Sequence, residues 1–555
     1  HAAVSGRAPQ VVGEVVGDGW SQERSVVGET PNLEARLQGV AVPNGVVVSP
    51  PTRSLAAGLF EYRDVGAVSL KGLTLSDPVW EVVGTNAIAD RFDARHTLTP
   101  MVDREEETRR IEELWLRRVA GEGHIVGIIG DPGIGKSRLI LEAHQKISAE
   151  PHVWIEGAGA QVFRNTPFYT LSQMIRRLLG RQETPAAVCA SLERALALAG
   201  VSAPDAVPLI AELLGVPTPD QAAPLTLSAE ERRGRVISIV TDWLIKIAAR
   251  WPAVLFIEDI QWVDPSTMEV LDRLVERASG AALFILYTAR KDFDVPWPTG
   301  GHHTQIILER LDADSARHLV VAAASRTLPD DVIAKILSRA DGVPLFAEEL
   351  ARLVAERNSG SADREIPRTL SDLLMARLDK LGPAKDIAQI ASVLGREISY
   401  RLIEAVSGVE EATLRASLAS LIEADILVPS AAGSDDLYSF KHALLEDAAY
   451  GALLKRQRSD LHRRAATVIV EQFTRIANEQ PEILAQHWTQ AGEPARAVPV
   501  WQKAGRLATT RRALKEAQSA YEQAIALLAA LPQTPDRDLL EFALQSTLAG
   551  VLQIT

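Results

Sequence analysis

The chain has little of what several protein classes require. Cys189 is its only cysteine in 555 residues. A disulfide framework and a thiolate metal site both need more than one, so neither is expected. A lone thiol suits a reducing compartment, and the expected location is cytoplasmic. No apolar run approaches the roughly 18–20 residues of a membrane span, and no signal peptide is visible. Basic charge is in deficit: 59 Lys and Arg stand against 72 Asp and Glu, for a formal net charge of −13. That balance argues against a non-specific grip on nucleic acid. The chain opens at His1 rather than a methionine and stops at Thr555 inside a helical pattern, so it reads as a fragment at both ends. Its apolar content, 46%, is that of a globular protein. Its length allows about three to five domains at ~100–200 residues each.

What is present centres on Gly130-Asp131-Pro132-Gly133-Ile134-Gly135-Lys136-Ser137. This fits the phosphate-loop pattern G-x-x-x-x-G-K-[ST] at every fixed position. The apolar run Ile125–Ile129 before it reads as a buried parallel strand. Helical spacing comes next, with Leu139, Ile140 and Ala143 on one side. Glycines let successive amides turn inward around an anion, and the helix N-terminus adds partial positive charge. Lys136 is placed to reach the β- and γ-phosphates of ATP, and the Ser137 hydroxyl to hold Mg²⁺. Far along the chain, Val254-Leu255-Phe256-Ile257 reads as a second buried strand ending in Glu258 and Asp259. Acids at a parallel strand's carboxyl end face the ligand crevice. Glu258 is assigned to the metal and Asp259 to polarising the attacking water.

The first eighty or so residues read as short strands, near Val11–Val16, Glu23–Val27, Val46–Val48, Phe60–Leu70 and Val79–Val83. A short helix is expected after Pro31. Val12-Gly13-Glu14, the run from Gly28 to Gln38 and Leu70-Lys71-Gly72 resemble the second half of a class III nucleotidyl cyclase domain. The resemblance implies that Asn32 orients a ribose, Arg36 stabilises the transferring phosphoryl and Lys71 contacts the triphosphate. It also implies two metal-binding aspartates upstream, which this chain does not contain, so the fragment alone is not expected to cyclise ATP.

Further on, Leu98-Thr99-Pro100-Met101-Val102-Asp103-Arg104-Glu105 resembles the L-V-G-R-E opening of STAND-type NTPases, with Asp103 where glycine is usual. Gln261-Trp262-Val263-Asp264-Pro265-Ser266 resembles the H-W-A-D-P-S continuation in the same family. By that resemblance Arg290, after the strand Leu283–Ala289, senses the γ-phosphate, and Pro344 packs on the adenine. From Thr369 the pattern is helical, with two short strands near Ile426–Val428 and Leu437–Phe440, and reads as a winged helix. Winged helices often bind DNA; in STAND proteins the domain closes over the nucleotide. The stretch from Phe440 to Tyr450 resembles that closure signature, with His442 on the β-phosphate of ADP. From Pro481 to Leu531, Ala485, Trp488 and Ala491, then Ala497, Trp501 and Ala504, then Ala517, Tyr521 and Ala524 fall on successive helix faces. That alternation resembles TPR-like repeats, which present protein-binding grooves.

The expected architecture is multidomain, α/β plus α. A partial α+β cyclase domain spans 1–84 and a linker 85–100. A P-loop STAND/AAA-type ATPase with a parallel sheet occupies 101–358. A winged-helix-like lid covers 359–470, and TPR-like repeats begin over 471–555. ATP, ADP and Mg²⁺ are the expected ligands. A second cyclase half, as a homodimer, and a protein bound to the repeats are the expected partners; nucleic acid is not. Three functions remain open: a regulated adenylate cyclase in a longer parent, a nucleotide switch with an inactive cyclase remnant, and a winged-helix transcription regulator.

Overall fold

The computed structural model divides into two compact units, His1–Leu98 and Thr99–Thr555. In the first it describes the backbone of six strands. In the second it describes residues 99–117, 121–148, 152–180, 182, 184–217, 227–278, 280–324, 326–356, 367, 369–395, 397–429 and 437–553. The six strands are β1 (Ala2–Ala3), β2 (Val11–Val12), β3 (Val26–Val27), β4 (Val46–Val48), β5 (Phe60–Leu70) and β6 (Leu73–Thr85). β1, β4, β6 and β5 make one sheet in that order, and β2 pairs with β3. β5 and β6 are antiparallel, and their register closes with Leu70 opposite Leu73. The last strand is longer than the Val79–Val83 pattern suggested, because alternation carries on through Leu73-Thr74-Leu75. Asn32, Arg36 and Lys71 lie outside the described residues.

The second unit is built on a five-stranded sheet of β7 (His124–Ile129), β8 (Val153–Ala158), β9 (Ala253–Glu258), β10 (Leu283–Ala289) and β11 (His303–Ile307). Its order is β11-β7-β10-β9-β8, and every pairing is parallel. Every residue of β7, β9 and β10 is buried. That is why these strands read as unbroken apolar runs: helices cover both faces of a parallel sheet. The order matters for the site. It brings the carboxyl ends of β7 and β9 to either side of β10, so the loops leaving these strands converge at one edge.

Helices from Leu370 to Glu423 then pack with a three-stranded antiparallel sheet of β12 (Glu397–Ser399), β13 (Leu427–Pro429) and β14 (Leu437–Phe440), ordered β12-β14-β13. The expected pair β13 and β14 is there. β12 gave no signal, since three residues are too few to show a period of two. Helices Ala443–Gly451 and Lys455–Gln472 complete this subdomain, around Leu378, Ala388, Ile403, Leu414 and Leu421. The last helices, from Pro481 to Leu552, stack pairwise. All nine small and aromatic positions picked out in the sequence are buried there. Among the described residues no helix is long and apolar enough to cross a membrane.

Candidate nucleotide-binding site

β7 delivers the chain to Gly130, whose amide donates to the Ala289 carbonyl at 3.2 Å and so anchors the loop to the end of β10. The loop then turns on itself, with the Ile134 amide donating to the Asp131 carbonyl at 3.3 Å. Gly133 and Gly135 take φ of +78° and +104°, which L side chains rarely adopt. Gly135 is the N-cap of the helix Lys136–Ile147, and no side chain caps it. The first amides of that helix therefore face the loop's concave side, where an anion is favoured.

Five sequence-picked side chains meet here. Lys136 Nζ donates to the carbonyls of Gly130 and Asp131 at 2.8 and 3.0 Å. Burial pushes its pKa down; Asp259, Asp131 and Glu258 oppose that shift and Arg290 adds to it. Ser137 Oγ donates to Glu258 Oε1 at 2.9 Å. Glu258 is buried at the end of β9. Asp259, the next residue, is held at φ +54°, and its amide donates to Thr288 Oγ1 at 2.9 Å. Arg290 leaves β10 between the loop and the acids, its guanidinium 5.7 Å from the centre of the Trp262 ring. The parallel sheet thus joins residues more than a hundred positions apart.

Two flanking segments close in, and a third carries the opening motif. Asp103 and Arg104 both take positive φ, 60° and 85°. This explains why glycine is usual at position 103. Asp103 adopts the conformation without it, its own carboxylate accepting from the Arg104 amide at 2.9 Å. Pro344 opens the helix Pro344–Glu356, and the next amide, that of Leu345, donates to the Gly133 carbonyl at 3.2 Å. His442 is the N-cap of the helix Ala443–Gly451. Leu444, two residues on, brings its Cδ1 to 3.4 Å from where a Cβ on Gly133 would stand. Asp447 of that helix has its pKa raised by desolvation, opposed by Arg290 and reinforced by Asp259. The helix Ala443–Gly451 therefore reaches both the loop and the acid edge.

Sequence reasoning assigned no role to Asp264 or Glu516. Asp264 is 1% exposed and accepts from the Phe168, Thr170 and Thr267 amides and the Thr267 hydroxyl, at 2.8–3.1 Å. Burial, then the charge of Glu516, raises its pKa to about 6. Asp264 lies in the stretch that resembles the H-W-A-D-P-S continuation, but that resemblance gave it no role. Nothing in the repeat pattern singled out Glu516.

Ser137 and Glu258 offer one hydroxyl and one carboxylate oxygen within reach of each other. That hard-oxygen pair suits Mg²⁺, which keeps several waters and shares itself with phosphates. Among the described residues no group of three or more His, Cys, Asp or Glu side chains converges as a protein-only metal cage.

Comparison with known proteins bears on the same stretch. Residues 100–286 match the family model of the AAA ATPase domain. Over 557 residues the chain is 29% identical to an uncharacterized protein of Rhizobium meliloti (strain 1021), covering 96% of this chain and 53% of that one. The chain thus spans about half the length of that curated relative. Among solved structures, one likeness is to a signal transduction ATPase with numerous domains carrying a tetratricopeptide repeat sensor, from Pyrococcus horikoshii. It is 14% identical, with 82% of this chain and 65% of that chain covered and a TM-score of 0.41. Another is to the Aeropyrum pernix Orc1 protein in complex with DNA, at 16% identity, covering 65% of this chain and 96% of that one, TM-score 0.32. The stretch that bears the phosphate loop, Glu258, Asp259 and Asp264 is therefore similar in sequence to an AAA ATPase domain, a nucleotide-binding module.

Proposed function

We propose that this chain is a nucleotide-operated signalling switch. It binds ATP and ADP with Mg²⁺ at Gly130–Ser137, hydrolyses ATP slowly, and closes a winged-helix-like lid over the ADP-bound site. One observation carries the reading: loop, acid pair and lid helix meet at a single edge, through the Ser137–Glu258 hydrogen bond and the approach of Leu444 to Gly133.

The roles derive from charge and position. Lys136 now serves two loop carbonyls and would exchange them for β- and γ-phosphate oxygens. Ser137 and Glu258 would hold Mg²⁺, which when bound neutralises phosphate charge. Asp259, beside them, orients the attacking water and accepts its proton. Arg290 stabilises charge on the γ-phosphoryl, and His442 of the lid meets the β-phosphate of ADP. ATP in place of ADP changes what lies against the lid, so the two nucleotides favour different arrangements. The repeats would present a groove to a protein partner.

The test is calorimetric titration of the whole chain with ATP and ADP in the presence of Mg²⁺. Lys136→Ala should abolish both affinities; unchanged binding in that variant would overturn the assignment.

The cyclase reading, for a longer parent chain, rests on the sequence resemblance of Gly28 to Gln38 and of Leu70-Lys71-Gly72. There Asn32, Arg36 and Lys71 would serve cyclic AMP formation across a homodimer, with the ATPase as regulator. This chain alone should make no cyclic AMP with Mg²⁺ or Mn²⁺; turnover by it would show that the missing metal half is not needed. A flat gel-shift titration of the whole chain would set the DNA-binding alternative aside, and salt-dependent binding would revive it.

A further inference from the structure

We infer that the helical repeats are a working part of the ATP site, and that Glu516, with Glu482, is a positioning residue for the turn that carries Asp259. The inference rests on the ATPase reading above. Glu516, in the repeat helix Leu514–Leu528, is 1% exposed and stands at the N-terminus of the core helix Pro265–Ala278. Its Oε1 accepts from the Ser266 amide at 2.8 Å and from the Ser266 hydroxyl at 2.5 Å. A helix start needs acceptors and favours negative charge; Asp264 takes the Thr267 amide locally, and a distant subdomain supplies the acceptor for the Ser266 amide. Asp259 leads through the short 3-10 turn Ile260–Trp262 into the helix whose second residue is Ser266.

The opposite flank is held as well. Glu482 Oε1, from the repeat helix Pro481–Gln490, accepts from Thr166 Oγ1 at 2.7 Å. The Ser519 hydroxyl donates to Asn165 Oδ1 at 3.2 Å. The segment bearing Asn165 and Thr166 is tied through the Phe168 and Thr170 amides to Asp264, and so to Thr267. At its upstream end the Gly159 amide donates to the Glu258 carbonyl at 2.8 Å, and a Cβ on Gly159 would lie 2.4 Å from the Asp259 carbonyl oxygen. Both flanks of the acid turn therefore end on repeat carboxylates. A non-glycine residue at φ +54°, as Asp259 is, persists only where its surroundings fix it. Glu516 also carries a cost that packing alone would not favour. Its Oε2 is buried without a hydrogen-bond partner, and its charge bears on a second buried carboxylate, Asp264. Such local conflicts are expected where position matters more than stability.

The experiment measures steady-state ATP hydrolysis, ATP affinity and melting of the whole chain for wild type, Glu516→Ala, Glu516→Gln and Ser266→Ala. Glu516→Ala should lower kcat about tenfold while KM and ATP affinity stay within about twofold, the pattern of an interaction felt in the transition state. Glu516→Gln keeps an acceptor for Ser266 and should recover most of that loss. Should Glu516→Ala fail to fold, Ser266→Ala, which keeps the amide donor to Glu516 and removes the hydroxyl that donates to Glu516 and accepts from Arg233 Nη1, carries the test with a smaller kcat loss at unchanged KM. Wild-type kcat in the variants, equal loss in Ala and Gln, or nucleotide binding by the wild type without hydrolysis would overturn the inference. Failure of the wild type to bind nucleotide would instead overturn the ATPase reading.

Discussion

The Leu345 amide donates to the Gly133 carbonyl at 3.2 Å, so the helix that begins at Pro344 pins the outer side of the phosphate loop. The contact holds Gly133 at φ +78°. A Cβ there would meet Leu345, Leu444 and Val343 at 3.4 Å each, which is ordinary contact. The obstacle to a side chain is therefore backbone conformation, not space. Gly133→Ala should cost about 1–2 kcal/mol of stability, read by denaturant titration, and weaken ATP and ADP alike as the amide cradle shifts. A variant with wild-type stability and affinity would show that the loop does not need this conformation.

Leu444 and His442 make a different expectation, because by the proposal they act as a lid on the loop and are not part of it. Leu444→Ala removes the apolar contact on the loop, and His442→Ala removes the imidazole at the start of the same helix. Both should weaken ADP more than ATP, since only the closed arrangement uses them. Calorimetry with each nucleotide separates the cases; equal losses for both would count against lid closure.

Ser137 and Glu258 share a hydrogen bond at 2.9 Å and, by the proposal, one metal. Ser137→Ala and Glu258→Gln should each raise the Mg²⁺ concentration needed for half-maximal ATP binding. The double variant should fall short of the sum, as expected for residues acting on one ion. Strictly additive effects, or no change in Mg²⁺ dependence, would separate the two residues.

How much of this was legible in the sequence depends on the distance over which each signal acts. The phosphate loop, the apolar strands and the acids at the end of β9 are local: residue type and spacing carry them, and the sheet order then brings them together. The small and aromatic positions of the repeats were legible for the same reason, since helix periodicity encodes burial. Glu516 was not. A glutamate in a helix is ordinarily exposed, and only a partner 250 residues away, Ser266, explains its burial. Asp264 was visible as part of a motif, but its four donors come from two segments that sequence alone does not bring together. Asp103 shows the opposite case: a departure from glycine that the backbone absorbs through the aspartate's own carboxylate.

The buried acids of the repeat contact carry a pH signature. Burial pushes the Glu482 carboxyl up to about 7 from its ordinary 4.5; Glu516 adds to this, while the Thr166 hydrogen bond and Arg511 oppose it. A carboxyl whose pKa is raised by folding favours the native state in its protonated form. Its contribution is full below about pH 4.5 and is lost as pH rises through about 7, a change on the order of 3 kcal/mol. Glutamine keeps an oxygen for Thr166 and has no proton to lose. Glu482→Gln should therefore melt close to wild type near pH 5 and progressively above it toward pH 8. Asp264, raised in the same direction to about 6, is present in both proteins and cancels from the difference. Melting curves of the two chains across pH 5–8 check this, and parallel pH profiles would show that Glu482 is ionised in the folded chain throughout.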